Sequence, residues 1–115
     1  MRINCKEKNF TVKIRTARSF RDRFLGLMGQ KSLPEGTGLL LENCSSIHMF
    51  FMRFPIRAVY LGRDGEVLDT EILHPFEIGK IVKGTRNVLE IGRSEGGDLS
   101  KGDRLVLENE KEVSD

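Results

Sequence analysis

Two apolar runs, IRAVYLG at residues 56 to 62 and EVLDTEIL at 66 to 73, are divided only by Arg63-Asp64-Gly65. This arrangement restricts the fold more than any other feature of the chain. Asp-Gly between strand-forming segments marks a β-hairpin, because the glycine reaches the positive φ that a tight turn demands. Residues joined this way must pair antiparallel, and both segments are too short and too β-branched to be helices of ordinary length. Once one hairpin is fixed, the remaining apolar segments must extend its sheet or cover it.

Most of them read as strands. The opening reads as a second hairpin, with residues 2 to 6 and 10 to 15 flanking a polar KEKN turn; in FTVKIR, Phe10, Val12 and Ile14 alternate with Thr11, Lys13 and Arg15. LLLEN after the Pro34–Gly38 loop, SIHMFFM within residues 46 to 56, TRNVLEIG and the late RLVLEN complete the set, the last entered through Gly102-Asp103. One segment breaks the pattern. In TARSFRDRFLGLMG, Phe20, Phe24, Leu27 and Met28 fall at i, i+4, i+7 and i+8, which predicts a helix over 18–29 with one apolar stripe, capped by Thr16 or Ser19 and closed at Gly29. The expected fold is mainly β (α+β). It is an antiparallel, barrel- or sandwich-like sheet of seven to eight short strands with one covering helix, in a single domain over 1–115 whose tail, 110–115, is frayed.

Composition narrows the functional classes. The chain holds 115 residues, 38% of them hydrophobic and 31% charged, and no apolar run approaches the roughly 18 residues of a membrane span. With no apolar core in MRINCKEKNF to suggest a secretory signal, a cytoplasmic protein with no membrane partner is expected. Cys5 and Cys44 are too few for a disulfide framework. The net charge of +2 conceals an asymmetry, since residues 1 to 24 carry eight Lys or Arg against Glu7 and Asp22. A basic end of that kind can attract nucleic acid, but the helical spacing spreads Arg18, Arg21 and Arg23 around the surface instead of along one ridge. Packing against the acidic remainder is the simpler expectation, and nucleic-acid binding is the third-ranked function.

Familiar chemical motifs fail one by one. GKIVKGT has the glycine spacing of a phosphate loop, but Thr85 stands where its lysine belongs and a strand follows where a helix should. Cys5, Cys44, His48 and His74 have no paired spacing to hold zinc. Neither a metal nor another cofactor is therefore expected. Cys44 and His48 invite a nucleophile–base reading, yet on a continuous strand they would lie about 13 Å apart. The remaining candidate is the Met–Phe segment itself. If residues 46 to 56 form a strand, His48 and Met52 share one face while Phe51 and Arg53 share the other, and only one face can be pocket. The expected ligand site gathers His48, Phe51, Met52 and Arg53, with Arg23 from the helix and Glu90 from a neighbouring strand. The His48–Met52 face is the favoured one, and an anionic ligand group is expected if Arg23 and Arg53 converge.

Taken in order, TARSFRDRFLGLMG, GTGLLLENCSSIHMFFMRFPI, DGEVLD, NVLEIGRSEGG and KGD resemble the bacterial and archaeal family known as domain of unknown function 192, over roughly residues 10 to 107. The resemblance implies a compact, mainly β fold with a short helix, and it brings no activity, cofactor or substrate. Where relatives place an acid after the Pro-Ile pair, this chain has Arg57. The expected function is non-enzymatic binding of a small molecule or peptide by a monomer, in a pocket between helix 18–29 and strand 46–56. A small enzyme using Cys44 or His48 is the second reading.

Overall fold

The computed structural model describes residues 1–19, 21–23, 31–50 and 52–108. Seven strands occur among them: β1 (Arg2–Cys5), β2 (Phe10–Ala17), β3 (Thr37–Leu41), β4 (Ile56–Leu61), β5 (Val67–Leu73), β6 (Asn87–Gly92) and β7 (Val106–Glu108). They form one sheet in the order β5-β4-β6-β3-β2-β1-β7. Both hairpins read from the sequence are present. β4 pairs antiparallel with β5 across a turn whose Gly65 has φ +82°, and β1 pairs antiparallel with β2 across a short 3-10 turn, Lys6–Lys8, closed by Asn9 at φ +51°.

The expectation of an antiparallel sheet needs one correction. β2 and β3 run parallel, with Lys13 beside Thr37 and Ala17 beside Leu41. Tight turns force antiparallel neighbours, whereas a parallel pair needs a crossover of a dozen residues or more. The connection from 18 to 36 is long enough, and that length is the signal in the sequence. Within it residues 21–23 are helical; the predicted stripe residues Phe20, Phe24, Leu27 and Met28 lie outside the described residues, as does the tail expected to fray.

Strand alternation sorts the apolar side chains into two clusters. Ile3, Val12, Ile14, Leu40, Val59, Val67, Leu89 and Leu105 form one that draws on nearly every strand, so it is the inside of a curled sheet. The curl brings the first residues of β5 against the approach to β7: Val67 N donates to Asp103 O at 2.7 Å and Leu105 N to Gly65 O at 2.8 Å. The sheet is thus a mixed half-barrel whose edges meet at one end. Ala17, Leu39, Leu41, Ala58, Tyr60 and Val88 face outward instead, and Ile47, Met49, Met52 and Phe54 cover them.

That cover is the stretch read above as a strand, and it is not one. Among its described residues only His48 makes a bridge, to Ile78. Its backbone partners lie in another loop: Met49 N donates to Glu77 O at 2.7 Å, Phe76 N to Met49 O at 2.9 Å and Gly79 N to Ile47 O at 2.9 Å, while Met52 N turns back to Met49 O at 3.2 Å. A segment lying on a sheet face already walled by strands has no ladder to join. Its apolar side chains are buried by packing, which leaves no need for a two-residue period. No helix among the described residues is long and apolar enough to cross a membrane.

Candidate functional site

NVLEIG places one carboxylate among aliphatic residues in a central strand. On β6, Glu90 lies opposite Leu39 of β3 and Ala58 of β4, on the sheet's outer face, and is 0% exposed. A lone buried carboxylate is costly unless paired. Arg23 supplies the pair, itself only 3% exposed. Its Nε donates to Glu90 Oε1 at 3.0 Å, and its Nη2 lies 2.6 Å from Oε2 but off the hydrogen-bonding axis. The same guanidinium donates from Nη1 to the His48 carbonyl at 2.7 Å and from Nη2 towards Met49 Sδ at 3.4 Å. One side chain therefore ties the helical residues, β6 and the covering loop together. Burial pushes the Glu90 carboxyl above its ordinary range, and Arg23 only partly restores it.

Above this pair lies a cavity of about 250 Å³. Its walls are the ends of β2 and β3 (Ala17, Leu41), the turn Glu42-Asn43-Cys44, then Ser46, Ile47 and His48, with Arg18, Ser19 and Arg23 at one side. The turn is fixed by Asn43 at φ +52°, by Asn43 N donating to Asn87 Oδ1 at 3.1 Å, and by Cys44 N donating to Arg86 O at 2.9 Å. His48 Nδ1 accepts from Phe50 N at 3.3 Å, and the two rings lie 4.6 Å apart. Burial, then the charge of Arg23, holds the imidazole below its usual titration range, so it is neutral at pH 7. Cys44 Sγ donates to Ser46 O at 3.0 Å, and burial pushes the thiol up.

Three of the six predicted site residues come together here: Arg23, His48 and Glu90. Met52 is buried in the outer apolar cluster and does not line the cavity. Arg53 is exposed and does not line it either, so Arg23 and Arg53 do not converge. The physical reason is the missing strand: a loop turning at Met49–Met52 sends these side chains in directions that no alternation predicts. Phe51 lies outside the described residues. Sequence reasoning missed Ser46, Asn43 and the ends of β2 and β3 as walls; the Asn-Cys-Ser-Ser turn after an apolar strand was their one signal. It also ranked Cys44 and His48 second on strand spacing, an objection that falls with the strand. Arg57 belongs to the opposite face of β4 from Ala58, where its Nε donates to Glu95 O at 2.6 Å and its Nη2 to Arg93 O at 3.3 Å. Among the described residues no group of three His, Cys, Asp or Glu could hold a metal ion.

Residues 2–107 match the family domain of unknown function 192, described as an uncharacterized ACR. A UPF0127 protein of Pyrococcus furiosus is 33% identical over 115 residues, covering 88% of this chain and 96% of the relative. A crystal structure of a protein of unknown function from Novosphingobium aromaticivorans superposes with a TM-score of 0.76 at 18% identity, over 92% of this chain and 82% of that one. A second, from Sinorhizobium meliloti, gives 0.69 at 20% identity over 91% of each. At such identities the two structures speak for the fold alone.

Proposed function

The chain belongs to the family domain of unknown function 192, and from that premise we propose that its cavity beside His48 binds a small uncharged polar ligand, or the end of a peptide, without chemistry. The observation that carries this reading is the Arg23–Glu90 pair under the cavity. A buried ion pair is a poor source of stability, and well-packed apolar residues often do as well. What it offers is position, because the carbonyl of His48 is held from below by a side chain that is itself held. Such support is what a preformed site requires.

An anionic ligand loses its rationale, since the charge of Arg23 is already met by Glu90. Hydroxyl and amide groups suit the walls better, with Ser19, Asn43, Ser46 and His48 beside Ala17, Leu41 and Ile47. At about 250 Å³ the space lies just below the roughly 300–1,000 Å³ of drug-sized sites. A monosaccharide or one or two peptide units is the fitting scale. Catalysis by Cys44 is disfavoured because the thiolate is the nucleophile, and this thiol is kept protonated.

The test is amide chemical-shift mapping with glucose and with N-acetyl-alanine amide at millimolar concentration. Shifts confined to residues 17–19 and 43–48, abolished by Ser46→Leu, are expected. Rapid alkylation of Cys44 at neutral pH, or an absence of localised shifts, contradicts the reading.

A further inference from the structure

The segment HPFEIGKIVKGTR, residues 74 to 86, supports the cavity's turn and loop through its backbone but puts no side chain into the cavity's walls. Its residues face in two directions. Gly79 faces inward, where a Cβ would meet Tyr60 Oη at 2.5 Å and Ile47 Cγ1 at 3.1 Å, and Val82 packs against the outer apolar cluster. Facing outward, Phe76 is 71% exposed, Ile78 70% and Ile81 79%. Single exposed apolar residues are ordinary, but three on one short ridge mark an interaction surface. Phe76 is moreover held at φ +71°, a region costly for an aromatic residue, and its N–H is bound to Met49 O. Backbone strain that keeps an aromatic ring in water is what a functional contact explains.

The ridge also carries cations. Lys80, Lys83 and Arg86 are exposed along it. Lys80 is met by Asp69 at 2.8 Å, with its backbone N–H donating to Glu71 Oε2 at 2.9 Å. Glu77 is the one acid within the segment, which leaves Lys83 and Arg86 as the cations facing outward. We propose that this ridge docks on an anionic lipid surface, with Phe76, Ile78 and Ile81 entering the headgroup layer and the cations meeting lipid phosphates. Apolar tips flanked by Lys and Arg are the composition of interfacial attachment. A second copy of the chain fits less well, because a two-fold contact would bring the same cations together. A protein partner would have to supply an apolar groove for the exposed Phe76, Ile78 and Ile81. The expectation of no membrane partner rested on the absence of a spanning run, which does not bear on surface attachment.

The experiment is co-sedimentation of the full chain with vesicles of equimolar phosphatidylglycerol and phosphatidylcholine, beside phosphatidylcholine alone. Binding to the anionic vesicles is expected to exceed the neutral control at least fivefold and to fall as salt is raised. The variant Phe76→Asn/Ile78→Ser/Ile81→Ser should lose it about tenfold with its melting temperature kept, since Asn tolerates the backbone at 76. Lys83→Glu/Arg86→Glu should abolish the preference for anionic lipid. Equal sedimentation with and without vesicles overturns the proposal, as does binding that survives the triple variant. A dimer in light scattering that the triple variant dissolves would assign the ridge to self-association instead, and a groove-bearing protein captured with no vesicle binding would assign it to that partner.

Discussion

At the scale of single residues, Arg23 and Glu90 make the sharpest test. Arg23→Met strips the carboxylate of its partner and releases the His48 carbonyl, while Glu90 stays fully buried. Breaking a buried pair from one side typically costs about 3–5 kcal/mol, and replacing both partners with apolar groups is often close to neutral. Urea denaturation should therefore find Arg23→Met strongly destabilised and Arg23→Met/Glu90→Leu nearer the parent. A double variant as unstable as the single one would show that the guanidinium matters chiefly as a tether for the loop. Both residues were legible as site candidates, because a charge inside an apolar run demands a partner. Their ion pair was not, since it joins positions 67 residues apart.

At the scale of elements, the meeting of the sheet's edges rests on a glycine. Gly65 has φ +82°, and a Cβ there would overlap Leu105 O, at the point where the two edges exchange hydrogen bonds. Gly102 has φ +98° with nothing near its Cβ position. Alanine at either site bears the left-handed penalty of about 1–3 kcal/mol, but only Gly65→Ala also drives the edges apart. The measured loss should be clearly larger at 65 than at 102, and equal losses would mean that the junction adjusts freely. Elements with a local cause were readable: both hairpins, and the β6 strand in its apolar run. Residues 46 to 56 were misread because apolar richness signals burial, and burial on a sheet face needs no strand.

For the whole molecule, protonation should set the acid limit of stability in a definite order. His48 is held below its ordinary value of 6.5, so its contribution is present above that pH and is lost as the pH falls through its folded value. Asp69 is lowered by its bond to Lys80, and Asp103 by the Ser100 N–H and then by Lys8; their contributions are lost as the pH falls below about 3.8 through the folded values. Glu90 opposes them. Raised by burial, it contributes below 4.5 and loses that contribution as the pH rises through its folded value. Melting temperature against pH should decline gently below 6.5, with Glu90 offsetting part of the loss, and steeply below 4. His48→Gln should flatten the first decline, and Asp103→Asn should soften the second while lowering the neutral-pH melting temperature. A profile level from pH 7 down to 3 would contradict these assignments.

The sequence by itself determined the class of fold, its turns and the segments that had to be buried, because strand alternation, glycine φ and apolar run length act within a few residues of their cause. It also marked Arg23, His48 and Glu90 as charges or titratable groups needing an explanation. Tertiary structure decided the rest. The parallel pairing of β2 with β3, the loop residues 46 to 50 and 52 to 55, the cavity wall at Asn43–Ser46 and the outward ridge at Phe76 depend on which surfaces meet after the chain has crossed over. Those meetings are chosen by packing between residues far apart in the chain, where local periodicity carries no information about the partner.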